Sequence, residues 1–546
     1  MSAAWEATEI VLFDVSETLF IRPLVEPEHL FDLVGATVGI AEFRARRLAA
    51  EALARRQVAE GGDQPVTLDR IYERLEATPA QRDLAKRTEY RFELALWRPD
   101  LEPAQSFREM AAAGRAVLTG RTHLPAAFFE ELLVLHGLPV APVFFYGDEH
   151  AAPLSQLIAD DLNVPPHRIL PFSKAETAQE VPLADPAAQK AEGIASLAFG
   201  LRRFAEALPQ ESCEALGFRI VGPALAGFTH WLSEQARRDR IDLLLFCPGP
   251  GTALEQIAAA PHAPLLPRHA YFAVGATAIM LAGTHDRNFD ARVDLMVAGA
   301  HGLRTFELLE RFGIPVPAAF MMADLGLGDE VVIDPSTEPL LRRFLGAYRW
   351  EILKIARRNR RGLFRDLLAL GLGPQMRVGL VDLGWEGHLV ESMTLALEHI
   401  FEVEIHGYSL CLLDTPESRR RQGRFNLKGM LSRATLPADT LGAIGANRAA
   451  IELLFTAPHR EVIGLEDLPG AIVRIEGPLG PSSRRLAAVS SEVTRGAVAF
   501  ATLFNAFCDR AGFEPNPIEA SRPFLVVAAD DGVAGPVASA LEQPDA

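Results

Sequence analysis

Short apolar runs that close on a polar residue or glycine, each followed by a stretch long enough for a helix, limit this chain's fold more than any other feature. "IVLFD" (10–14), "GRAVLTG" (114–120), "VFFYG" (143–147) and "RILPF" (168–172) are such runs, with "PAAFFEELLVLHG" and "LSQLIADDLN" as the helices between the later ones. Strands buried on both faces read as continuous apolar runs, and their alternation with helices predicts a parallel sheet wrapped by helices. Working residues in such sheets sit at the carboxyl ends of strands. Asp14, Thr119 and the pair Ser173–Lys174 all fall at strand ends and are placed to converge.

At 546 residues the chain exceeds what one core usually organises, and two or three domains are expected. From about 27 to 112 the pattern is helical, through "EFRARRLAAEALARRQVAE", "TLDRIYERLEA" and "RDLAKRTEYRFELALW". A Pro/Ala-rich stretch at 175–193 ends the first region. The strand–turn–helix logic then returns in "IDLLLFCPGPGTALEQIAAA" (241–260) and "MRVGLVDLGWEGHLVESMTLALEHI" (376–400), with the strand "EVEIHGYSLCLL" (402–413) after it. Residues 284–370 read as mostly helical. Past 465 the pattern weakens to one strand, "AIVRIEG", one long helix near 485–510 and a Pro/Ala/Asp-rich tail. The expected organisation is an α/β core over 1–200 with a helical insert at about 22–112, a second α/β Rossmann-like domain over 201–465, and a helical or irregular extension over 466–546.

Lysine and arginine total 54 against 71 acids, a formal charge of -17. That balance argues against a broad nucleic-acid or anionic-membrane surface. The basic run "ARRNRRGLFR" (356–365) reads first as a solvated helix face, with an anion or RNA contact as the alternative. The four cysteines, at 213, 247, 411 and 508, form no CxxC or Cys/His cluster, which speaks against a thiolate zinc site and gives no disulfide framework. With no secretory leader pattern and no apolar stretch of membrane-spanning length, a cytoplasmic location is expected.

"VLFDVSETLF" resembles the first signature of the haloacid dehalogenase (HAD) superfamily, whose members carry an aspartate nucleophile at the end of a buried strand, with Thr or Val four residues on and usually Leu after it. Asp14, Thr18 and Leu19 match. The resemblance implies a HAD-like Rossmannoid sheet, a covalent ester formed on Asp14, and a helical cap in the insert between Asp14 and Thr119. "AVLTG" resembles the second signature, in which Thr119 would bind a phosphoryl oxygen. "FDVSETLFIRPLVEPEHLF", "VTLDRIYERL" and "THLPAAFFEELL" look like a bacterial subgroup of predicted HAD hydrolases that accompanies glycosyltransferases and surface-polysaccharide genes. By that likeness the partners would be a small-molecule or sugar ligand and glycosyltransferase or glycan-assembly proteins.

The departures carry equal weight. Phosphatases of this superfamily use an acid two residues past the nucleophile to protonate the leaving group; here Ser16 stands there, and Glu17, one residue on, points away from Asp14 if the segment stays extended. No lysine lies between Pro125 and Ser173 to supply the third signature. Where the fourth should hold Mg²⁺ through carboxylates, the chain reads Ser173-Lys174-Ala175-Glu176. Lys174 could serve as the missing cation in metal-free chemistry, or Asp148 and Glu149 could supply metal ligands; Asp14 could also only cap nearby backbone N–H groups. No cofactor is expected, with Mg²⁺ bound only if the first site works.

In the second region the subgroup usually shows Arg-Asp-Gly after a strand, where this chain has Gly249, Pro250 and Gly251. That turn can bind an anion or be a plain connection. "VGLVDLGWEGHLVESM" is closer to the subgroup's Val-Asp-x-Gly-Trp-x-Gly: Asp382 ends a strand, Gly384 and Gly387 allow a tight turn, and His388 opens a helix. Asp382 could hold a ligand hydroxyl or metal, or cap the helix. His459, in a loop, could face that turn. The reading favoured is a HAD-like protein that has lost catalysis and serves as a binding or scaffold module in surface-glycan metabolism. The alternatives are an active HAD hydrolase on a phosphorylated sugar or similar small molecule, and an activity in the second region around Asp382.

Overall fold

The computed structural model describes residues 10–60, 66–145, 154–172, 186–205, 208–209, 212–298, 300–398, 400–478 and 483–530. The chain divides into two compact units, Met1–Phe204 with Leu503–Pro515, and Ala205–Thr502 with Asn516–Ala546.

The first unit is built on β1 (Ile10–Asp14), the short β2 (Phe20–Ile21) and β3 (Arg98–Pro99), then β4 (Ala116–Gly120), β5 (Val143–Phe145) and β6 (Ile169–Pro171). Four of these form a parallel sheet in the order β5-β4-β1-β6. On one face Leu12, Val117 and Ile169 pack with Ile158 and Ala159. Phe13, pointing the other way, stacks on Phe172 and meets the edge of Phe107. This is why β1 and β4 are apolar up to the polar residues near their carboxyl ends.

Between β1 and β4 the chain is helical over Leu30–Val38, Phe43–Ala59, Leu68–Glu73 and Pro79–Leu96. Sequence chemistry sets the last of these: Thr78 and Gln81 form a reciprocal capping box, and Pro79 occupies the first turn. The insert is closed at its base by an antiparallel pairing of β2 with β3, Phe20 opposite Pro99 and Ile21 opposite Arg98. Helix Leu101–Ala112 then returns the chain to β4. Inside the insert lies a charged core. The Arg47 side chain is completely buried; its Nε and Nη2 donate to the two oxygens of Glu89 at 2.8 and 2.7 Å, and Nη1 donates to Glu51 at 2.8 Å. Tyr72 donates its hydroxyl to Glu89 at 2.5 Å.

The second unit carries a five-stranded parallel sheet of β7 (Leu243–Phe246), β8 (His269–Tyr271), β9 (Arg377–Trp385), β10 (Glu404–Leu412) and β11 (Asn426–Leu431), in the order β11-β10-β9-β7-β8. On one face Leu243, Leu245, Val378 and Leu380 form a core with the helical residues Ile279, Leu363, Val390 and Met393. On the other, helix Gly222–Asp239 is anchored where Tyr408 donates its hydroxyl to Asp239 at 2.6 Å and Lys428 donates to it at 2.7 and 2.8 Å. Residues between β8 and β9 are helical with their own apolar core, including Phe289, Leu308, Leu341 and Ile352. After β11 the chain forms a hairpin of β12 (Val462–Leu468) and β13 (Ala471–Glu476) and then the long helix Ser483–Ala511, whose residues from Leu503 on belong to the first unit. Among the described residues no helix is long and apolar enough to cross a membrane.

Candidate functional sites

In the first unit β1 pairs with β4 on one side and β6 on the other, so the chain reverses its direction across the sheet at β1. The carboxyl end of such a strand opens on the crevice where α/β sheets bind ligands. Asp14 stands there, directly opposite Thr119. Thr119 is buried, and its hydroxyl donates a long 3.4 Å bond to the carbonyl of Phe13. The Asp14 carboxylate lies beside Gly120.

The segment after Asp14 is not extended. Residues Val15–Leu19 form a single wide helical turn, with Thr18 buried inside it. The turn brings Ser16 back onto Asp14: its backbone N–H donates to Asp14 Oδ1 at 2.9 Å and its hydroxyl donates to the same oxygen at 3.0 Å. Ser16, two residues past Asp14, is therefore bonded to the Asp14 carboxylate itself. Lys174, Ser173, Asp148 and Glu149 lie outside the described residues. Among the described residues, no group of three or more His, Cys, Asp or Glu side chains is placed to hold a metal ion.

The second unit reverses direction at β7, whose neighbours are β8 and β9. Its crevice lies at the carboxyl ends of β7 and β9, and Asp382 is there. β9 continues three residues past it, to Trp385. Register sets its neighbours: Phe246 pairs with Val381, so Cys247 follows beside Asp382, while Ser409 of β10 pairs with Asp382 directly. Ser409 donates its hydroxyl to Asp382 Oδ1 at 2.7 Å. Burial raises the Asp382 pKa and the Ser409 bond lowers it, leaving it at about 6. Burial, and then the Asp382 charge, push the Cys247 thiol well up, so this cysteine is no nucleophile at neutral pH.

The backbone beyond Asp382 is strained. Gly384, Trp385 and Gly387 take φ of 106°, 83° and 76°. Gly384 is required twice over, by that φ and because a Cβ there would stand 2.0 Å from the carbonyl oxygen of Cys411. A buried tryptophan in this region is a far rarer choice, of the kind that gathers at functional sites. Asp382 does not cap the following helix: Gly387 is the N-cap of His388–Leu397, without a side-chain bond. Instead His388 Nε2 meets Glu386 at 3.0 Å, and Thr415 donates to the other Glu386 oxygen at 2.8 Å.

His459 is held at the end of β8, one strand beyond β7. Its Nδ1 bonds the carbonyl of Arg460 at 2.8 Å, which places the proton there, so Nε2 accepts the Tyr271 hydroxyl at 2.6 Å. The Gly249–Gly251 turn is filled by protein. A Cβ on Gly251 would meet the Tyr271 ring and the Phe246 carbonyl, and one on Gly249 would approach the Phe455 carbonyl. Close packing accounts for Gly251, and a φ of 102° accounts for Gly249. Cys247, Ser409 and Tyr271 are the members that sequence reasoning missed. The available signal was a polar residue inside or ending an apolar run, in "LLLFC" and "YSLCL".

No protein-family model matches this chain, and no curated protein does.

Proposed function

We propose that the first unit is a HAD-like frame that binds a small phosphorylated or sugar ligand without turning it over, and that the protein works as a binding or scaffold module in surface-glycan metabolism. The glycan context rests on the sequence resemblance alone. The loss of turnover is supported by one observation above the others: Ser16 replaces the helper acid and spends both its N–H and its hydroxyl on Asp14 Oδ1. A serine cannot protonate a leaving group at neutral pH, and two donors on the nucleophile's oxygen lower its reactivity. Among the described residues Asp14 is the carboxylate at this strand end, and one carboxylate with neighbouring hydroxyls is a poor site for Mg²⁺, which asks for carboxylates in near-octahedral array.

The test is hydrolysis of p-nitrophenyl phosphate with Mg²⁺ by wild type and Asp14→Asn. The expected result is no Asp14-dependent turnover. Hydrolysis by wild type that Asp14→Asn abolishes would sink the proposal.

The strained Asp382 turn favours a second reading, in which ligand chemistry belongs to the second unit. A carboxyl group near pKa 6 at a direction-reversing strand end is suited to exchange a proton near neutral pH. An activity impaired by Asp382→Asn and untouched by Asp14→Asn would select it.

A further inference from the structure

Helix Arg349–Ala369 is basic in an acidic chain, and its arginines divide by task. Arg360 turns inward, donating to the carbonyls of Ala282 and Thr284, both at 2.7 Å. Arg349 bonds Asp286 at 2.9 Å. Arg357 and Arg361 are exposed and meet no carboxylate among the described residues. They fall on one line with Trp350, Lys354, Arg365 and Leu368, within an arc of about 80° at 3.6 residues per turn. The line is about 27 Å long at 1.5 Å per residue. Trp350 is 66% exposed at one end and Leu368 is 42% exposed at the other. Two acids touch this line: Glu351 lies 3.9 Å from Lys354, and Asp467 pairs with Arg365 at 2.6 Å. The opposite side of the helix is core, with Ile352, Ile355, Ala356, Leu363 and Leu367 buried.

We propose that this line of Trp350, Lys354, Arg357, Arg361, Arg365 and Leu368 is a docking face for an anionic lipid surface. Charge complementarity asks for a polyanion, and shape selects among polyanions. A helix sunk to its shoulders in a core cannot enter a major groove about 12 Å wide. It can lie against a plane. An exposed tryptophan at the end of a cationic line suits the headgroup layer, where indole rings concentrate. The chain's net charge of -17 does not forbid this, because at physiological salt charges more than about 8 Å away are largely screened.

The test is sedimentation of the full chain with vesicles of phosphatidylglycerol and phosphatidylcholine in equal parts, beside vesicles of phosphatidylcholine alone. Binding is expected only to the first and should fade with added salt. Each cation near such a surface contributes about fivefold, so Arg357→Ala with Arg361→Ala should weaken binding about thirtyfold. Trp350→Ala should weaken it less and remove a blue shift in emission on binding. Melting temperatures matching wild type would show that the variants are folded. No binding to the anionic vesicles at low salt would overturn the proposal. So would equal binding to both vesicles, indifference to the double substitution in a folded variant, or competition by duplex RNA at equal strength.

Discussion

An Arg47→Met variant is expected to unfold about 3–5 kcal/mol more readily than wild type at pH 7, as read from denaturant unfolding. Methionine nearly refills the volume, so the cost is electrostatic and not that of a cavity. It leaves Glu89, fully buried, with the Tyr72 hydroxyl and His123, 3.4 Å away, as its remaining polar partners. Burial alone would raise the Glu89 pKa; the Arg47 charge and hydrogen bonds from His123 and Arg47 overcome it and carry the group down to about 2. The sign of the pH dependence follows. A depressed carboxylate contributes stability that is fully present above its unfolded value near 4.5 and is lost as pH falls toward 2. Wild type should therefore weaken in acid through this group. In Arg47→Met the same carboxyl, now uncompensated, should be driven to its neutral form, so the variant gains stability on acidification. Adding Glu89→Leu should recover most of the loss at pH 7, because a buried pair replaced by apolar groups is often neutral. If the single variant matched wild type, or if the double variant were worse than the single, the charged core would not be what holds the insert.

How much of this was legible in the chain depends on where the determining contacts lie. "IVLFD" and "AVLTG" announced parallel strands because burial on both faces removes the alternation that would mark a half-exposed strand. The β2–β3 pairing was not legible, since "FI" and "RP" carry no period and their pairing spans the whole insert. Arg47 sits in "FRARRLAAEALARRQ", which reads as helix and gives no sign of a buried charge; only the fold brings Glu89 and Tyr72 around it. Asp14 opposite Thr119 was legible because both end apolar runs. The bond from Ser16 was not, because it needs the chain to turn directly after Asp14, which no residue of "VSETL" marks. Around Asp382 the glycines marked the turn correctly. Its partners come from cross-strand register, which no local spacing encodes.

That register makes Asp382 testable without knowing any ligand. Asparagine keeps an oxygen to accept the Ser409 hydroxyl and removes only the charge. The folded-state pKa of Asp382 is raised from 3.8 to about 6, so the native state holds its proton more tightly than the unfolded chain does. Stability from this group is therefore greatest below about pH 4, falls as pH rises toward 6, and is level beyond. Two pKa units correspond to about 3 kcal/mol, and because the side chain keeps some contact with solvent, a gain of about 2 kcal/mol is the expected size for Asp382→Asn at pH 7.5. At pH 4 the two proteins should be nearly equal, and the difference should open between pH 4 and 6 in paired unfolding curves. A variant less stable than wild type at pH 7.5 would mean that the carboxylate serves the fold, and the functional reading of the second unit would lose its support. A variant more stable there would mark a group whose charge costs the protein free energy at neutral pH. Groups of that kind belong to sites where chemistry or binding is done, and the strained tryptophan three residues on would then have its explanation in the same crevice.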